Sequence, residues 1–105
     1  MGKANKIDKV KVGYKTYKIE RPPAIKEVGG ELCGSCDFHD CIIKIADKLD
    51  QDDKNLVFLH ELIHSICSRL SIDRLNADEQ TLDRLATGLY EVIKDNPHIF
   101  TMADI

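Results

Sequence analysis

Residues 60–64 read His-Glu-Leu-Ile-His, inside a stretch that is otherwise mostly apolar, with Leu56-Val57-Phe58-Leu59 before it and Ser65-Ile66-Cys67 after. This pattern constrains the backbone more than any other part of the chain. In a helix, side chains four apart stack on one face, so His60 and His64 aim their imidazoles at one point. A zinc ion there would lie about 2.0–2.1 Å from each ring nitrogen. Glu61, one position past the first histidine, is placed to hold a metal-bound water rather than the metal. Two ligands and a general base on one helix encode a reaction directly.

The spacing predicts a helix from Asp50 or Gln51 to about Leu70. Asp52 and Asp53 fall in its first turn, where the helix dipole favours acids. Leu56, Leu59, Ile63, Ile66 and Leu70 form its expected core stripe. Ser71 to Asn76 reads as a turn, with Asn76 the N-cap of a second helix that runs to about Asp95 and is stopped by Asn96-Pro97. Leu82, Leu85, Ala86, Leu89 and Ile93 supply that helix's apolar face.

Upstream, Lys6–Val12 and Thr16–Glu20 alternate weakly around Gly13-Tyr14-Lys15 and read as a hairpin. Arg21-Pro22-Pro23 and Val28-Gly29-Gly30 are breakers, with an irregular connection expected between them. Glu31–Phe38 and Cys41–Ala46 read as a second strand pair, the latter rich in β-branched residues. Strands first, then two long helices, is an α+β order. The expected architecture is a small antiparallel or mixed sheet of about four strands followed by two helices. It forms one domain over 1–105, with 96–105 a tail.

Composition narrows the partners. The net charge of −3 is spread along the chain, so no direct nucleic-acid or membrane-surface binding is expected. No apolar run approaches the length of a membrane span. Met1–Lys6 has no apolar core behind it, so no signal peptide is expected there. The expected compartment is the cytoplasm, with the four cysteines reduced.

Two histidines leave a catalytic zinc site one protein ligand short. No histidine follows at the short metzincin spacing, since Cys67–Asp73 holds neither glycine nor histidine. The second helix offers acids instead. Glu79 and Asp83 are four apart and share a face. Glu79 is taken as the third ligand, and Asp83 as the acceptor for the free ring N–H of His60. Helices joined by a short turn pack antiparallel, which brings the start of the second near the end of the first. Competing readings stand beside these. Asn76-x-x-Glu79 has the form of a capping box, Asp78 is an alternative donor, and Asp83 can be a solvated surface acid.

His60-Glu61-x-x-His64 followed on the next helix by Glu79-x-x-x-Asp83 resembles the gluzincin metallopeptidases of the thermolysin-like clan. The short chain and the order of its elements resemble the smallest of them, the minigluzincins; the similarity to ImmA/IrrE-like peptidases is looser. The match covers roughly Cys41 to Asp95. It implies zinc on His60, His64 and Glu79, Glu61 as general base, and a protein or peptide substrate. It also implies that the strand Cys41–Ala46 rims the cleft and offers an edge to an extended substrate. In that family a C-terminal segment can block the cleft, a role for which 96–105 is placed in sequence. Larger relatives add a His or Tyr that stabilises the oxyanion; Tyr90, eleven residues beyond Glu79, is the candidate here. The alternative function is an inactive zinc-binding module on the same scaffold that acts by binding a protein.

Cys33-x-x-Cys36, with His39 and Cys41, offers a second zinc knuckle or a redox pair, against small residues in a hairpin as the plainer reading. Cys67 reads as a small buried hydrophobe, although it falls seven after His60. His98 stands where a cation favours the second helix's C-terminus.

Overall fold

The computed structural model describes residues 6–101. Lys9–Val12 (β1) and Lys15–Glu20 (β2) form the antiparallel hairpin, with Val12 opposite Lys15. Its two-residue loop starts at Gly13, whose φ of 64° suits a primed turn that matches strand twist. The stretch expected to be irregular instead contains a small separate sheet. Ile25–Glu27 (β3) pairs with Gly30–Leu32 (β4) across Val28-Gly29. Gly29 and Gly30 both have positive φ, which glycine adopts without steric cost. The expected strand Glu31–Phe38 is therefore divided: its start belongs to β4, and Gly34–Asp37 forms β5.

Ile42–Ile45 (β6) completes the main sheet, in the order β1-β2-β6-β5. β6 runs antiparallel to β5 and parallel to β2, so the sheet is mixed. This corrects one expectation. The strand expected to offer its edge lies inside the sheet; the edge strand beside it is β5.

Alternation along the strands buries Val12, Tyr17, Ile19, Ile43 and Ile45 on one face. Gln51–Leu70 (α1) covers that face with Val57, Phe58 and Leu62. Asp50 caps α1 by accepting from the Asp53 amide at 2.9 Å. Ser71, with φ 58° in the left-handed region, ends it. On its opposite side α1 packs Leu56, Leu59, Ile63 and Cys67 against Leu82 and Ala86 of Glu79–Asp95 (α3). The molecule thus has three layers: sheet, α1, α3.

A third helix interrupts the expected turn. Asp73–Ala77 (α2) links the two long helices. Asp78, not Asn76, caps α3, its carboxylate accepting from the Thr81 amide and hydroxyl at 3.1 and 2.8 Å. Those two bonds hold the Asp78 carboxyl below its ordinary range. The expected core stripes are also trimmed. Ile66, Leu70, Leu85 and Leu89 are exposed, because each lies off the seam along which α1 and α3 meet.

Candidate metal centre

His60 and His64 stand on α1 with their rings edge to face, centroids 5.1 Å apart. Both side chains are largely buried, at 16% and 13% exposure. α2 turns the chain back so that Glu79, the first residue of α3, faces them. Its Oε1 lies 3.4 Å from His60 Nε2 and 2.5 Å from His64 Nε2. The three donor atoms lie within 4.8 Å of one another and form the one such group of His, Cys, Asp or Glu among the described residues.

The opposite ring nitrogens are anchored. His60 Nδ1 lies 3.2 Å from Asp83 Oδ1, and His64 Nδ1 lies 2.6 Å from Asn76 Oδ1. A carboxylate or amide oxygen only accepts, so each Nδ1 carries the hydrogen. That tautomer leaves Nε2 free to ligate while the other ring N–H is held by an acceptor.

These three residues could hold a metal ion. Donors placed tetrahedrally about 2.0–2.1 Å from zinc lie roughly 3.3–3.4 Å apart. The His60–Glu79 separation meets that value. The His64–Glu79 contact is shorter, at 2.5 Å. Glu79 must withdraw by less than about 1 Å, which an exposed side chain at a helix start does by rotation. Three protein donors leave a fourth tetrahedral position open.

Glu61 packs against the sheet and is only 8% exposed. A Cβ built on Gly34 of the edge strand β5 would lie 3.2 Å from Glu61 Oε2. The carboxylate is thus wedged between α1 and β5. Burial raises its pKa; the His60 and His64 charges oppose the rise and Glu79 adds to it. The carboxylate also acts on its neighbour. Burial, with Glu61 next in weight, pushes the Cys36 thiol up to about 12.

Tyr90 is not part of this group. Its hydroxyl donates to Asp52 Oδ1 at 2.8 Å and accepts from Asn55 Nδ2 at 3.3 Å. Asp52 precedes His60 by eight residues, roughly 12 Å along α1. Tyr90 shares a face with Glu79 but lies three turns away, too far to serve as the expected oxyanion stabiliser. His98 does not cap α3 either; Asn96 does, its Nδ2 donating to the Val92 carbonyl at 2.8 Å.

The described part of the tail, 96–101, leaves α3 at the end away from Glu79, roughly 25 Å along the axis. It forms a turn closed by Thr101 N–H to the His98 carbonyl, with Phe100 80% exposed. Over that span it does not lie on the metal group. Residues 102–105 lie outside the described residues.

Cys33, Cys36, His39 and Cys41 form no three-donor group among the described residues. Cys36 and Cys41 pack against the core beneath the sheet, and Cys67 is buried between α1 and α3. Sequence reasoning missed Asn76 as the anchor of His64, because it assigned Asn76 to the helix cap. The signal was Asp78-x-x-Thr81, a rival cap two residues on that frees Asn76.

No family model, curated protein or solved structure matches this chain. No helix among the described residues is long and apolar enough to cross a membrane.

Proposed function

We propose that this chain is a zinc-dependent metallopeptidase that hydrolyses peptide bonds in a protein or peptide substrate. One observation carries the reading. A buried carboxylate, Glu61, lies against the edge strand of the sheet and directly follows the first histidine of a three-donor group that could hold a metal ion. A structural metal site has no use for such a group.

His60, His64 and Glu79 would hold the ion. When bound, it would acidify water and polarise a carbonyl oxygen, lowering the barrier to hydrolysis. Asp83 and Asn76 keep the two imidazoles in the ligating tautomer. β5 has an unpaired edge, to which an extended polypeptide can add main-chain hydrogen bonds. Glu61 takes a proton from the attacking water on its carboxylate and returns it to the departing amine. Its burial serves this role, since a raised pKa brings a carboxylate closer to the proton affinity of its partners. We place the reaction in the cytoplasm, a reading supported by the free thiols of Cys33, Cys36, Cys41 and Cys67.

The test compares the parent with Glu61→Gln and Glu79→Ala for zinc content and for cleavage of an unstructured protein. Glu61→Gln should bind zinc in full and lose at least about 100-fold in rate, the low end for a general acid–base. Glu79→Ala should lose zinc. A zinc-loaded parent that cleaves no faster than Glu61→Gln defeats the peptidase reading and leaves a zinc-binding module.

A further inference from the structure

α3 packs chiefly against α1 and α2, which leaves its outer side bare. That side is not polar. Leu85, Leu89 and Val92 are 50%, 38% and 46% exposed. Their spacing of four and three puts them on one helical face. Gly88 lies among them, and a Cβ built on it would meet nothing within 4 Å. The stripe therefore has a notch at its middle. Arg84, Glu91 and Asp95, all exposed, run along one flank. None of the three has an ion-pair partner within 4.0 Å among the described residues.

From this pattern we infer that α3 is a self-association surface, and that its occupant is α3 of a second copy packed antiparallel about a two-fold axis. The axis passes between Gly88 and Leu89. Leu85 of each copy then lies level with Val92 of the other. Gly88 lies level with Leu89, and its missing side chain lets the two helices approach closely there. A two-fold of this kind keeps equivalent flanks on the same side. Arg84 therefore comes to rest between Glu91 and Asp95 of the second copy, each about 3 Å away along the axis. Two unpaired acids meet one unpaired base, twice. A parallel two-fold pairing would put the equivalent flanks on opposite sides of the contact, where these charges do not meet.

The self-complementarity selects a second copy over an unrelated partner, because apolar steps and charges both match under one operation. A membrane surface is a poor alternative, since the flank carries two acids to one base. The contact is a single helix pair with three large apolar side chains from each copy. It falls at the small end of specific interfaces, so the dimer should be reversible, with a dissociation constant on the order of 10 μM.

Sedimentation equilibrium of the full chain from roughly 1 to 200 μM tests this. The parent's mass should rise from one copy toward two across that range. Leu85→Asp, at an exposed position, should keep its helical circular dichroism and stay monomeric throughout. Arg84→Glu should weaken the dimer about tenfold, from several exposed ion pairs lost together. Glu91→Arg with Asp95→Arg should do the same, and all three changes in one chain should restore parental affinity. A parent that stays monomeric at every concentration overturns the inference. So does a dimer that survives Leu85→Asp, or a triple variant no tighter than Arg84→Glu alone.

Discussion

A Cβ on Gly34 would lie 2.4 Å from Val57 Cγ1, 3.1 Å from the Lys44 carbonyl and 3.2 Å from Glu61 Oε2. The absence of a side chain there lets β5 lie directly on α1 beside the candidate base. Gly34→Ala should destabilise the chain by about 1–3 kcal/mol, as overpacking does, measured by urea unfolding. Adding Val57→Ala removes the closest clash and should recover part of that loss, while the pressure on Glu61 remains. A double variant as stable as Val57→Ala alone would show that the strand yields freely. Glu61 itself makes a second prediction. Its pKa is raised in the folded chain, chiefly by burial. A carboxyl raised on folding favours the folded state when protonated, and that advantage is lost as pH rises from the unfolded value, about 4.3, through the folded one. Metal-stripped Glu61→Gln should therefore melt above the metal-stripped parent at pH 7, with the gap closing below about pH 4. A gap unchanged between pH 7 and 4 would contradict a raised pKa. His60, Glu61 and His64 were legible because their spacing along one helix already encodes a shared target. Gly34 and Asn76 were not, because each acts on a residue distant in sequence through backbone geometry that no local pattern records.

Between elements, the Asp52–Tyr90–Lys94 cluster ties the start of α1 to the end of α3. Tyr90 and Lys94 both donate to the Asp52 carboxylate, and these bonds hold its pKa below the ordinary carboxyl value. A depressed carboxyl contributes stability above its unfolded pKa, about 3.9, and loses it as pH falls through the lower folded value. Tyr90→Phe should lower the melting temperature at pH 7 by a small amount that vanishes in strong acid. Zinc content and any cleavage rate should be unchanged. A variant that loses cleavage while keeping zinc would return Tyr90 to the site. Both ends of α1 and the end of α3 were legible, because Asp50, Asp52 and Asp53 mark the start of α1, Asn96-Pro97 marks the end of α3, and apolar residues recur with helical period between; the start of α3 was not, because Asn76 competes with Asp78 as a cap. The first hairpin was legible from Gly13 and its alternating flanks. The β3–β4 pair was not. Its strands are three residues long, bury only Ile25, and lie between breakers that hide any period. Nor did local sequence show that β6 lies between β2 and β5. That order depends on which strands bury Ile43 and Ile45 beneath α1.

For the molecule as a whole, the three-layer order decides what a metal ion would stabilise. The sheet and α1 share one buried cluster, and α1 and α3 share another made of Ile63, Cys67, Leu82 and Ala86. The second cluster is small, and the outer side of α3 is bare. α3 is therefore the layer held by least, the kind of element that opens by itself before the rest unfolds. The candidate metal centre bridges this same seam, with two ligands on α1 and the third at the first residue of α3. A ligand that binds only the closed arrangement stabilises it by mass action. At a zinc concentration 100 times its dissociation constant, the gain is about 2.7 kcal/mol. That stabilisation should fall unequally across the layers. Hydrogen exchange with and without a chelator should show α3 amides exchanging roughly 100-fold faster once zinc is removed, a factor set by the same free energy. β2, β6 and the sheet-facing half of α1 should change far less. Equal acceleration in all three layers would mean that the chain opens as one unit, with the metal acting on the whole fold and not as a clasp on α3.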